Sequence, residues 1–221
     1  MRASSGRNKQ DRLITKLNRL WKDEQDHALL AKTIDALNTR YDLTEKMSKE
    51  SGVEEIIKQM LGRLANSFTR LSNIRDKKIL DIACGSNTSK APSALFINTP
   101  FGKKTIGRRS KGYTAQFEPW FCRILFELSA EPVGIDFGDL ESELFVHYRV
   151  DLGKMGALDF LPDHSFDAVQ DSRLFGSPEF TAQLPNQTDR LKIAKEIKQQ
   201  EQRLLKANGF VIHSDADALL Q

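Results

Sequence analysis

From Lys78 onward the chain alternates short apolar runs with amphipathic stretches, and no other feature restricts its fold as strongly. The runs are KILDIA (78–83), PVGIDF (132–137), FVHYRV (145–150), FDAVQ (166–170) and FVIHS (210–214). Helical stretches lie between them. One covers 119–129, with Pro119 as its first helical residue, and one covers roughly 187–206, stopped by Asn208-Gly209. Strands alternating with helices predict βαβ units and a mostly parallel sheet of about five strands, covered on both faces. In such a sheet ligands bind at the carboxyl ends of the strands, where the strand order reverses.

Residues 1–75 read differently, as a helical extension. Leu13, Leu17, Leu20 and Trp21 recur at helical spacing, as do Leu30, Ile34, Leu37 and Tyr41. A third stripe runs Val53, Ile56, Ile57, Met60, Leu61, Leu64, Phe68, Leu71, and Ser51 with Glu54 forms a capping-box pattern at its start. The stripes predict packing against residues 76–221.

The strand ends carry the chemistry. The first apolar run closes on Asp81-Ile82-Ala83-Cys84-Gly85-Ser86-Asn87, where small residues allow close approach to backbone and Gly85 admits conformations closed to other residues. Asp136 ends the second run, where a carboxylate can accept from both hydroxyls of a ribose. Asp151-Leu152 follows the third and could accept from an exocyclic amine. Gln170, Asp171 and Ser172 stand at the mouth of the fourth.

Taken in order, these pieces resemble a class I S-adenosylmethionine-dependent methyltransferase over about 77–215. LDIACGSN is similar to that family's glycine loop, VGIDFG to its ribose-binding strand end and RVDL to its adenine-side strand end. DHSFDAVQDS resembles its fourth strand, and EQRLLKANGFVIHSD its following helix and fifth strand. The resemblance implies a Rossmann-like sheet with S-adenosyl-L-methionine as cofactor. Asp81 and the backbone at Ala83, Gly85 and Asn87 would approach its methionine part, with Cys84 as a small filler in the same loop. Asp136 would take the ribose, Asp151 and Leu152 the adenine, and Gln170 or Asp171 the floor beneath the sulfonium. Candidate bases are His213, His164 and Asp171; Arg173 and Ser177 are candidates for the acceptor pocket. The Asn/Asp-Pro-Pro-aromatic signature of base-methylating relatives is replaced here by QDSRLF, which points to a small acceptor.

Two departures from the family bear on the acceptor. Residues 88–117 form an insert between the glycine loop and the next helix. It carries Lys90, Lys103, Lys104, Arg108, Arg109 and Lys111, with no acid, and its Gly102, Gly107 and Gly112 predict a mobile loop. Arg108 and Arg109 would attract an anionic acceptor, while Phe96, Phe101 and Tyr113 could stack on bases, so RNA is the alternative substrate. The chain also ends about a dozen residues after Gly209, short of the family's C-terminal antiparallel pair. The fifth strand is then an edge that a homodimer, another partner or the helical extension would cover. A non-catalytic module acting through such a partner is the third reading.

The net charge of +3 is too small to imply nucleic-acid binding by itself. The two cysteines lack metal-site spacing, and no metal is expected. No apolar run is long enough for a membrane span and the N-terminus lacks a secretory pattern, so the expectation is a cytoplasmic protein.

Overall fold

The computed structural model describes residues 3–87, 90–91, 95–99, 102–107, 112–172, 174–175 and 177–220. Five strands form its main sheet: β1 (Lys78–Ile82), β2 (Glu131–Asp136), β3 (Val146–Arg149), β4 (Phe166–Asp171) and β5 (Leu205–His213). Every neighbouring pair is parallel and the order is β3-β2-β1-β4-β5. This is a Rossmann-like α/β fold. The order reverses between β1 and β4, which places the crevice at their carboxyl ends.

Eight α-helices flank the sheet among the described residues: α1 (Ala3–Leu17), α2 (Glu24–Tyr41), α3 (Leu43–Lys49), α4 (Ser51–Ser67), α5 (Trp120–Glu127), α6 (Pro178–Gln183), α7 (Gln187–Leu204) and α8 (Asp215–Leu220). Side chains alternate across a strand, so β1 sends Ile79 and Asp81 to one face and Leu80 and Ile82 to the other. On the first face Ile79 and Ala168 join one continuous apolar cluster with α5 and with Leu30, Ile34, Leu37, Ile57, Leu61 and Leu64 of the helical extension. The extension is thus half of the main core. On the second face Leu80, Ile82, Val133, Ile135 and Val169 meet Ile193, Ala194 and Ile197 of α7 and Ala216 of α8.

Local expectations differ from the structure at four places. Ser51 and Glu54 make no capping box: Glu50 is the cap of α4, its side chain instead accepts from Ala115 N at 2.8 Å, and Glu54 pairs with Lys16 and Lys58. Pro119 caps α5 rather than opening it. Leu20 of the first stripe is exposed. Asn208-Gly209 does not stop α7, which ends at Leu204 with Leu205 already extended. Both residues lie inside β5, where Phe166 pairs with Leu205 and Ala168 with Phe210, so four residues oppose one. A β-carbon on Gly209 would lie 3.0 Å from Phe166 O, which explains the glycine.

The insert also departs from a loop. Leu95–Thr99 pairs antiparallel with Gly102–Gly107, and Lys90–Ala91 with Gly112–Tyr113, so its glycines sit in paired strands. Phe101, Arg108, Arg109, Lys111 and Arg173 lie outside the described residues. Among those described, no helix is long and apolar enough to cross a membrane.

Because the core is shared, damage in the extension reaches the sheet. Leu61→Ala should cost about 2–5 kcal/mol. Far-ultraviolet circular dichroism and tryptophan fluorescence should then report one common, lowered midpoint; separate midpoints would mean that extension and sheet unfold independently.

Candidate functional site

The loop after β1 is built on two residues in the left-handed region, Ala83 at φ +60° and Gly85 at φ +93°. Glycine is required at 85, since a β-carbon there would lie 2.2 Å from Phe117 O. Ala83 carries a backbone cost of roughly 1 kcal/mol at the crevice. The loop is bound on every side. Cys84 N donates to Ile135 O (3.0 Å), Gly85 N to Asp136 Oδ2 (3.0 Å), Ser86 N to Phe117 O (3.0 Å) and Asn87 N to Asp139 O (3.0 Å). With these N–H groups taken, the loop can serve a ligand through carbonyl oxygens and close approach. That suits a ligand bringing donors, such as an ammonium group.

Asp136 is the clasp of this arrangement. Its Oδ2 holds Gly85 N while Oδ1 accepts from Gly138 N at 2.8 Å. Burial pushes its carboxyl up, and the donated bonds from Gly138 and Gly85 work against that shift. The Phe137 N–H also donates to this carboxylate, so three of its four lone-pair positions are taken and one remains for a further donor. Phe137 beside it is 61% exposed, with the Arg149 guanidinium 5.7 Å from its ring centre.

Beneath the loop lies a buried charge network. Arg123 of α5 donates to Glu143 from Nη2 (2.7 Å), to Asn87 Oδ1 from Nη2 (2.8 Å) and to Glu118 from Nη1. Its guanidinium sits 4.2 Å from the Tyr41 ring centre and 4.8 Å from that of Trp120. Lys46 of α3 reaches Glu118 at 2.6 Å. Asn87 Nδ2 donates to Ser142 Oγ at 2.6 Å, so its side chain is committed to holding the loop.

Asp81 and Gln170 form a polar layer under the crevice. Gln170 Nε2 donates to Asp81 Oδ1 at 3.2 Å, and the Cys122 thiol lies 3.7 Å from Asp81 Oδ2. Gln170 Oε1 is buried with no hydrogen-bond partner, an acceptor in want of a donor. Burial pushes the Asp81 carboxyl up to about 7, opposed by the Gln170 bond and by Arg63. Cys84 and Cys122 are free and buried, and burial pushes the Cys84 thiol well up and the Cys122 thiol up to about 11. Neither is an activated nucleophile.

The crevice mouth gathers residues from four elements. Arg63 of α4 donates from Nη1 to Ser172 Oγ at 2.7 Å, with Asp215, Asp81 and Asp171 as the nearby charges favouring its cation against burial. His213 Nε2 lies 2.8 Å from Asp215 Oδ1, and His213 neighbours Gln170 across the β4–β5 ladder. A carboxylate that orients an imidazole is a general-base arrangement. Asp171 is committed elsewhere: its carboxylate accepts from Ala216 N (3.0 Å), Asp215 N and Ser214 Oγ (3.4 Å), fastening α8. Burial pushes it up to about 6.

Of the other candidates, His164 lies at the opposite end of the sheet and the rest are engaged in local contacts. His164 precedes β4, at the amino end of the sheet, and its Nδ1 lies 2.9 Å from Leu205 O. Ser177 caps α6, accepting from Phe180 N at 2.9 Å. Leu152 belongs to the core packed on α7. Asp151 accepts from Gln183 Nε2 (2.7 Å) and Gly153 N (3.1 Å); with Lys154 these hold its carboxyl below the usual range despite partial burial. Sequence alone does not single out Arg63, Phe137 or Arg123; Arg63 meets its partner Ser172 from 109 residues away in the chain. Among the described residues no group of three or more His, Cys, Asp and Glu is placed to hold a metal ion. Comparison with protein-family models, curated proteins and solved structures found no match.

Glu201 of α7 completes the buried acids. Its side chain is fully buried, and burial together with the Asp171 charge pushes its carboxyl up to about 7. Asp81, Asp171 and Glu201 therefore bind protons more tightly folded than unfolded. Their contribution is complete below the ordinary carboxylate range and is lost as pH rises through about 6 and about 7. Thermal stability should fall between about pH 5 and about pH 8, and Glu201→Gln should flatten that slope and raise Tm by a few degrees at the upper end. A native profile rising across this window would contradict the assignment.

Proposed function

We propose that this chain is an S-adenosyl-L-methionine-dependent methyltransferase acting on a small acceptor. One observation carries the reading. The order reversal of an all-parallel sheet coincides with a small-residue loop held by the acid that ends the neighbouring strand, Asp136. When bound, the cofactor supplies an electrophilic methyl group on a sulfonium.

The residues present fit such a ligand. Asp171 and Asp215 lend the crevice mouth negative charge that suits a cationic group, and the orphaned Gln170 Oε1 offers an acceptor to a donor. The remaining lone pair of Asp136 suits a ribose hydroxyl, and exposed Phe137 offers a flat apolar face to a base. Arg63 would orient an anionic group of the acceptor. His213, steadied by Asp215, would take up a proton where the acceptor must lose one. The buried free thiols agree with a reducing, cytoplasmic setting.

Isothermal titration with S-adenosylmethionine and with its demethylated product tests the cofactor half; no heat with either at millimolar concentration would sink the reading. Phe137→Ala should weaken binding roughly 5- to 100-fold, the range expected for losing one base–aromatic stack, with the melting temperature little changed. Methyl transfer from radiolabelled cofactor, scored separately on small-molecule and RNA fractions, separates the acceptor classes. Binding without transfer to either would indicate a non-catalytic module. His213→Asn should lower kcat about 10²-fold or more with cofactor affinity preserved. An unchanged kcat would remove His213 from the chemistry.

A further inference from the structure

Among the described residues the five-stranded sheet ends at β3 on one side and β5 on the other, and these edges are treated differently. At β5 the ladder to β4 slips twice, between Phe166 and Ala168 and between Val169 and Gln170, and Lys206 stands exposed on the strand. Slips and edge lysines are the usual means of discouraging a further strand. At β3 the pairing with β2 runs unbroken from Val133↔Val146 to Asp136↔Arg149, and the strand has neither lysine nor proline.

Exposed apolar surface collects at the same edge. Leu144, Val146 (56%) and Tyr148 are exposed on or just before β3, Met155 and Phe160 on the segment after it, and Tyr148 packs edge-on against Phe160 at 5.0 Å. Among the described residues the other exposed large apolar side chains are Phe137, at the crevice, and Leu20. Val150 N donates to Asp136 O at 2.9 Å. Alternation along the ladder then turns the backbone groups of Val146 and Tyr148 toward β2 and those of His147 and Arg149 outward. The Phe145 carbonyl also faces outward; His147 Nδ1 lies 3.0 Å from it, and a carbonyl retains a second lone pair.

Charge chooses the occupant. Asp139 and Glu141 precede β3, whereas Arg149 and Lys154 follow its start, Lys154 in a surface pair with Asp151 at 3.3 Å that is weak enough to exchange. A strand acidic before and basic after is complementary to itself when reversed. We propose that β3 pairs antiparallel with β3 of a second copy about a two-fold axis at His147, joining the two sheets into one. In that register Val146 faces the partner's Tyr148, Phe145 faces the partner's Arg149, and Glu141 lies opposite the Gly153–Lys154 segment. The interface is isologous, as closed dimers require. It is remote from the β5 edge toward which the sequence points, and it is independent of the cofactor reading.

Sedimentation velocity of the full chain from about 1 to about 100 μM should show a monomer–dimer equilibrium. Val146→Lys and Tyr148→Lys, both at exposed positions, should each weaken it at least tenfold with unchanged melting temperatures. Paired residues of this kind sit ~5.5 Å apart at Cα, within disulfide reach. His147→Cys should therefore cross-link to its own copy on treatment with diamide, which takes up two electrons and two protons as the disulfide forms. A monomer at every concentration overturns the proposal, as does a dimer that both lysine variants leave intact.

Discussion

Arg123 is a positive charge almost wholly removed from water, and the crevice rests on what surrounds it. Desolvation of a guanidinium is costly, and the structure offsets it with Glu118, Glu143, the Asn87 amide oxygen and two aromatic faces. Apart from Trp120, which lies on α5 with Arg123, each of those partners belongs to a different part of the chain: Tyr41 to the helical extension, Glu118 to the segment before α5, Asn87 to the loop after β1 and Glu143 to the connection from β2 to β3. The network therefore does not merely stabilise one element. It fixes the relative positions of the glycine loop and the loop after β2, which is where any ligand of the switch point must lie.

That arrangement gives the helical extension its function in the fold. Tyr41 and Lys46 close one side of the Arg123 network, while α4 continues across the sheet to bring Met60 under Gln170 and Arg63 to Ser172. The extension is thus both core and crevice wall. A helix chosen for its apolar stripe, Val53 to Leu64, also delivers a cation to the mouth, because Arg63 lies off that stripe.

Legibility in the sequence followed the range of the interactions. The five strands were readable because apolar runs of strand length are local, and the stripes of α1, α2 and α4 because helical periodicity is local too. Gly85 and Asp136 were readable as residue types at strand ends. The capping box at Ser51 failed because Glu50 found a distant partner in Ala115, and Asn208-Gly209 failed because a bulge uses the same residues as a helix stop. Arg63 and Arg123 carry no local pattern at all. Nothing in a helix says which of its arginines will be buried; that is decided by partners outside the helix, Glu118 and Glu143 for Arg123 and Ser172, 109 residues along the chain, for Arg63. Asp171 and Ser177 show the converse, since residues of a type suited to chemistry were spent on capping helices.

The two roots of the insert are anchored independently of its contents. Asn87 is held by Arg123 and Ser142, and Ala115 by Glu50. Whatever is strung between residues 88 and 113 begins and ends on fixed posts, so its length enters the fold's free energy only through the slowly growing entropy of closing a loop. The insert can therefore change in length and sequence between its posts while the core and the glycine loop stay as they are.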